Sequence, residues 1–313
     1  MDTKGFIMVT NKKYELVTDD TIEIDGNILY RIRALLDFSN AKKGDIGGYI
    51  QSEVNLSHEG NCWIYNNAVV YEAASVVGNA IVSGNAKIHG NSKVIGNCRI
   101  FGNAEVYEWA VIEWEGCVYG ASKIYGKAVV TGNVRVFGYS EIHGCAVICG
   151  FSVINGYANI SGHSVICDNS TIYDHAIITD KVKLSGNSII SGNCRIEGTS
   201  TLCGLTYIFG DAIVKNIRNN GTLRLGKFAN ISNTTDFINI GPIGSRDDYT
   251  TFYKTKDNGI YVCCGCFNGS LEEFEEVVKK THGDNEYAKE YMKAIEMVKM
   301  YFYYTKHIKY GGI

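Results

Sequence analysis

A chain of 313 residues, 45% of them hydrophobic, can bury a substantial core and has room for two or three structural units. Its formal net charge of -3 lacks the basic excess that phosphate neutralisation needs, which argues against a nucleic-acid partner but leaves a small anionic ligand open. No apolar run reaches the roughly 18 residues needed to span a membrane, and Gly 35 beside Pro 1 excludes linker-like disorder in favour of hydrogen-bonded strands with tight corners.

Along the chain, residues 14 to 38, "YELVTDDTIEIDGNILYRIRALLDF", alternate like strands around Asp25-Gly26, a strong two-residue hairpin signal. Residues 1–45 are therefore expected to be a β-hairpin cap, since an open sheet end would expose pairing edges. From Ile46 a six-residue metre begins. It runs through Ile64, Val82, Ile100, Val118, Val136, Ile154, Ile172, Ile190 and Ile208 to Val214, with Gly, Asp or Asn two places later and a small residue two places after that. An aliphatic residue between outward neighbours, followed by a corner, describes a very short strand and a sharp bend. Gly and Asn tolerate the positive φ of such a bend. Glu72, Glu108 and Trp114 are the odd residues at that corner.

This pattern resembles the hexapeptide-repeat, left-handed parallel β-helix family, in which three hexads form one triangular coil of 18 residues. The resemblance covers about residues 46–218 and implies between nine and ten coils, homotrimers, and in many members acyl transfer from acyl-CoA with a histidine as base. The opening phrase, running into "KKGDIGGYI" and "LSHEGNCWIY", also looks like the start of β-helical proteins encoded by bacteriophages and mobile elements. Beyond the metre, residues 219–243 are expected to hold a terminal coil and linker, and 244–313 a ββαα recognition unit. There "SRDDYTTFYKTKDNGIYVCCGCF" offers two strands, and Ser270, Leu271, Glu272, Glu273 form a capping box. The first helix should bury Leu271, Phe274, Val277 and Val278; the second should bury Ala288, Tyr291, Met292, Ile295 and Val298. The expected class is mainly β: a left-handed parallel β-helix with an amino-terminal cap and a small carboxyl α+β unit.

Because each residue lies under the one 18 places on, outward columns can be read directly. One stacks Tyr65, Phe101, Tyr119, Phe137, Tyr173 and Phe209; a second alternates Lys87, Glu105, Lys123 and Glu141 beside Tyr71, His89, Tyr107, Tyr125 and His143. A third stacks Val111, Val129, Val147 and Val165 with Cys149 and Cys167, too apolar for water. It needs a cover: a homotrimer, the carboxyl unit folded back, or an outside partner. The eleven cysteines, odd in number and without a signal peptide ahead of them, read as reduced thiols of a cytoplasmic protein.

No loop interrupts the coils, and His89 and His143 stand three coils apart, about 14 Å of rise, so an acyltransferase would have to use one of them alone. Asp168, Asp174 and Asp180 fall on three different corners and point apart. Cys263 and Cys266 have C-x-x-C spacing but no second pair at a zinc spacing; no metal or cofactor is expected. Polar density concentrates in the carboxyl unit, where Arg246, Asp247, Lys254, Phe267, Asn268, Ser270, His282, Asp284 and Asn285 fall at element ends. Backbone N–H groups leading into the helix at Ser270, with Arg246 and Lys254, could hold a phosphate or carboxylate. The expected function is a non-enzymatic oligomeric scaffold whose carboxyl unit binds a small anionic ligand, for instance a nucleotide, or a host protein. If the phage-like resemblance holds, it would interfere with host defence. The alternatives are an acyl-CoA-dependent acyltransferase and a virion or filament component.

Overall fold

The computed structural model describes residues 12–308, with side chains to residue 304. The first eleven residues of the expected cap and the last five of the carboxyl unit lie outside this range. The chain is mainly β, a parallel β-helix of about 10 turns over residues 49–231, followed by a small antiparallel sheet and two helices. It divides into two compact units, residues 1–133 and 134–313.

In the first unit, strands β1 (Tyr14–Ile24) and β2 (Asn27–Ala34) pair antiparallel. Their turn places Asp25 at φ 52° and Gly26 at φ 77°, the positive pair that a primed two-residue turn requires. β2 then pairs antiparallel with Ile46–Ile50, whose far end pairs parallel with Val69–Val70, so the hairpin occupies an edge that would otherwise be open. Leu29, Tyr49, Val69 and Tyr71 form a small core beneath it.

The metre begins later than the sequence suggests. Ile46 is 54% exposed, and the ladder instead starts with Ile50 beneath Val70 and Leu56 beneath Val76, a separation of twenty residues rather than eighteen. The two extra residues enlarge the corner between Leu56 and Ile64, and that corner receives the buried side chain of Lys13. From Trp63↔Ile81 onward the spacing is eighteen, and every inward aliphatic residue, such as Ile64, Val82, Ile100 and Val118, is fully buried.

In the second unit the same ladder runs from Arg135↔Val153 to Val214. The expected failure of the metre near Asn219 is a one-residue deletion: Leu202 lies against Asn219, Ile208 against Leu225 and Val214 against Ile231, each seventeen residues apart. Coiling therefore continues to Ile231. The sheet after it has four strands in consecutive order, Phe237–Ile243, Asp248–Lys254, Ile260–Cys264 and Phe267–Ser270, where the sequence suggested two. The two additional strands are the sheet edges, where Pro242 and Gly269 cost little pairing, so their turn-like composition hides them. Helices α1 (Leu271–His282) and α2 (Glu286–Ile308) pack on this sheet. Ser270 Oγ accepts the Glu273 N–H at 3.2 Å while Glu273 Oε2 accepts the Ser270 N–H at 2.8 Å, a complete capping box. Leu271, Phe274 and Val278 face the core as expected, whereas Val277 is 41% exposed.

In the coils one reading of single residues is corrected, and the three acidic residues lie on separate corners as expected. Cys149 and Cys167 are joined by a disulfide rather than being reduced thiols. Residues eighteen apart in a parallel ladder face each other directly, here with Cα atoms 4.7 Å apart, inside the range a disulfide needs. Asp168, Asp174 and Asp180 occupy corners with φ 59–67°, and each carboxylate accepts the N–H of the glycine one coil further on: Gly186 at 2.8 Å, Gly192 at 2.9 Å and Gly198 at 2.9 Å. They are corner clamps, and Glu72 does the same for Gly90 at 2.6 Å.

The corner glycine below Asp180 is constrained on two counts. Gly162 has φ +71°, and a Cβ there would lie 2.5 Å from the Asp180 carbonyl oxygen. Gly162→Ala is expected to lower stability by about 1–2 kcal/mol or more, whereas Gly221→Ala, with nothing within 4 Å, should change little. Thermal denaturation of the two variants side by side checks this.

Candidate functional site

The carboxyl sheet is fastened to the last coil by buried and half-buried hydrogen bonds, all within the second unit. Arg224 N–H donates to Thr251 Oγ1 at 3.2 Å, Gly226 N–H to the Tyr253 hydroxyl at 3.3 Å, and Asn239 Nδ2 to the Thr222 carbonyl at 2.6 Å. Asn268 Nδ2 donates to the same Tyr253 hydroxyl at 2.6 Å. A Cβ on Gly226 would lie 2.4 Å from Asn268 Nδ2, so glycine is what lets the sheet approach. Tyr253 is fully buried, and burial pushes its phenol well above the usual range, so it remains a neutral hydroxyl. Burial likewise raises the neighbouring Cys263 thiol to about 11.

This docking leaves a cleft of about 490 Å3. Strand alternation builds its floor: Ile189, Leu205, Tyr207 and Arg224 point outward between the inward Ile190, Thr206, Ile208 and Leu225. Its roof is the hairpin in which Cys264 pairs with Phe267 across the Gly265-Cys266 tip. The volume lies in the range of small-ligand sites.

The rim carries two guanidinium groups and one carboxylate. Arg224 Nη1 pairs with Asp248 Oδ2 at 2.7 Å. Arg246 lies along the hairpin tip, its Nη2 3.8 Å from Cys266 Sγ, and also acts on Asp248. Burial would raise the Asp248 carboxyl, but the Arg224 hydrogen bond, the Tyr249 N–H and the charge of Arg246 together hold it below the usual range. Asp248 is therefore an anion hydrogen-bonded to one guanidinium and favoured by the charge of a second.

The nine carboxyl-unit residues singled out in the sequence divide accordingly. Phe267 and Asn268 line the cleft, and Arg246 is at its rim. Lys254 is engaged instead by Asp236 at 3.1 Å and by the face of Phe302. Asp247 sits in a tight turn at φ 49° with its N–H on the Gly244 carbonyl, and Ser270 caps α1. His282 lies beside Tyr287 and Tyr291 at the break between helices; Asp284 is exposed there, and Asn285 caps α2 through the Ala288 N–H at 3.0 Å. Sequence reasoning missed Arg224, Tyr207, Ile189 and Leu205. The available signal was the alternation of Leu223, Arg224 and Leu225 once the coil is followed past Asn219.

The histidines considered for catalysis are parts of side-chain ladders. His89 is stacked between Tyr71 at 4.9 Å and Tyr107 at 5.1 Å, with Nε2 3.3 Å from Glu105 Oε1. His143 Nε2 is 3.3 Å from Asn159 Oδ1. On the apolar columns, Val111 lies in register with Val129 in the first unit, and Val147 with Val165 in the second; all four are half-buried. Among the described residues no helix is long and apolar enough to cross a membrane. No protein-family model matches the chain, and no curated protein matches it.

Proposed function

We propose that the protein is a β-helix scaffold that does no chemistry of its own and whose carboxyl sheet, clamped to the terminal coil, receives a small anion with a flat apolar part, a nucleotide being the chemistry that fits. The observation that carries this reading is a cleft lined by Tyr207, Phe209 and Phe267 that also holds Arg224, paired with Asp248, while Arg246 reaches the Cys266 edge of the same cleft. An incoming phosphate would take the place of Asp248 on Arg224 and add a second contact at Arg246, while the rings accept a base by stacking. The coils supply a rigid platform. Their apolar valine columns support self-association, most simply as a homotrimer. Sequestering such a ligand is also what a phage or mobile-element protein opposing host defence would do.

Titration calorimetry with nucleoside mono-, di- and triphosphates tests the site. Arg246→Met is expected to weaken binding about tenfold or more while leaving the melting temperature nearly unchanged, since its hydrogen bond to Cys266 is long and exposed. The reading fails if no nucleotide binds at millimolar concentration, or if Arg246→Met binds as tightly as the parent.

A further inference from the structure

In the enlarged first corner of the β-helix, an amine and a thiol are buried against one another. Lys13 is 2% exposed and Cys62 is fully buried. Lys13 Nζ donates to the Cys62 carbonyl at 2.9 Å and the Gly60 carbonyl at 3.3 Å, and stands 3.4 Å from Cys62 Sγ. Three restraints fix the amine there: the two carbonyls, the face of Phe38 at 4.9 Å, and the hydrogen bond from the Lys13 backbone N–H to His58 Nδ1 at 3.2 Å. The thiol is held from the other side by the Ser57 carbonyl at 3.4 Å, under a turn whose residues Glu59, Gly60 and Asn61 are exposed. A buried amine costs desolvation that an aliphatic residue would avoid, a cost that the two carbonyls and the Phe38 face partly offset.

We propose that Lys13 and Cys62 form a reversible oxidative crosslink, a sulfenamide, that locks the amino-terminal strand to the first coil when the protein meets a hydroperoxide. In the first step the thiol is oxidised by two electrons and the peroxide is reduced: Cys62–SH and H2O2 give Cys62–SOH and water. In the second, the Lys13 amine attacks the sulfenic sulfur, the S–O bond breaks as the N–S bond forms, and the hydroxyl leaves as water with one amine proton. The product, Cys62–S–NH–Lys13, contains two hydrogens fewer than the reduced pair. Burial favours the neutral amine that the second step needs, as it lowers the Lys13 pKa. It also raises the Cys62 thiol, so the first step is slow and needs opening of the exposed turn at Glu59 to Asn61. A dithiol such as dithiothreitol reverses the link: one thiolate attacks the sulfur and the amine leaves with a proton, giving a mixed disulfide, and the second thiol displaces Cys62 as its thiol while the reductant closes to a cyclic disulfide.

The experiment is peptide mapping by tandem mass spectrometry of the full chain treated with hydrogen peroxide, with and without subsequent dithiothreitol. The expected result is a joined pair of peptides carrying Lys13 and Cys62, two hydrogens lighter than their sum and separated again by dithiothreitol. Lys13→Arg, which keeps the cation and its donors, should yield no joined pair. Cys62→Ser provides a second control if that variant folds poorly. The joined protein should also melt several degrees higher than its reduced form, because the link closes the chain between the cap and the coil. Unjoined peptides with Cys62 oxidised to sulfinic acid, or a joined pair carrying an extra oxygen atom, would overturn the proposal.

Discussion

Ile166→Asp is expected to abolish folding of the second unit, while Val165→Asp on the same two-residue strand leaves the fold intact. Ile166 is fully buried in the inward ladder, between Ile148 and Leu184, and Val165 points outward and is half-buried. A carboxylate in the ladder has aliphatic carbon above and below it and no donor. Leaving it charged costs several kcal/mol, and protonating it removes part of that cost but not the lost packing. Ile166→Ala would by comparison cost about 2–5 kcal/mol from lost burial and the cavity left behind. Circular dichroism and chemical denaturation read the inward effect. Native mass spectrometry of Val165→Asp reads a separate matter: if the valine column closes an oligomer, the mass falls to that of the monomer while the strand signal persists. An unchanged melt for Ile166→Asp would mean that the ladder is not the core.

Asp236→Ala should destabilise the junction between the terminal coil and the carboxyl sheet by about 3 kcal/mol. Asp236 is 5% exposed and accepts four hydrogen bonds: from Ser232 N–H at 3.0 Å, Ser232 Oγ at 3.1 Å, Asn233 N–H at 2.9 Å and Lys254 Nζ at 3.1 Å. Removing it orphans two backbone donors and leaves the largely buried Lys254 ammonium without its counter-ion. Burial by itself would raise the Asp236 carboxyl, but the Ser232 and Lys254 bonds outweigh it and hold the group below its ordinary range. The folded state therefore binds the proton less readily than the unfolded chain. The stabilisation is complete above the ordinary aspartate value, about 3.9, and is lost as pH falls through the depressed folded value. Denaturant titrations from pH 6 down to 2 should show a decline in the parent that is shallower in Asp236→Asn. Equal slopes would remove Asp236 as its source. The same experiment bears on Lys254, which the sequence offered as a ligand cation: with Asp236 in place its charge is already satisfied.

Much of the fold could be read without coordinates because a β-helix converts periodicity directly into space. The repeated aliphatic residue, the corner glycine and the small residue after it each answer to one local requirement: burial, positive φ, and room inside the bend. The Asp25-Gly26 turn and the Ser270 capping box were equally local. Reading failed where the metre changed by one or two residues. The twenty-residue first turn and the seventeen-residue last turns keep inward residues inward by altering only a corner, so the aliphatic count alone places them wrongly. The edge strands Phe237–Ile243 and Phe267–Ser270 were hidden by Pro242 and Gly269, residues that an edge accepts and a central strand would reject.

By itself, then, the sequence determined the repeating coil, its hairpin edge and the two carboxyl helices, since each rests on contacts between residues at fixed spacing. Tertiary structure decided where a site could be. Tyr207 and Arg224 have the same outward alternation as many solvated residues on the coils, and nothing in their spacing distinguishes them. They became the floor of a cleft because Tyr253, Asn268 and Gly226 bring a distant hairpin down over them. The same holds for Cys149 and Cys167, and for Lys13 and Cys62: one pair meets through the coil's rise, the other through an enlarged corner. Long-range closure, not local propensity, sets which side chains face one another.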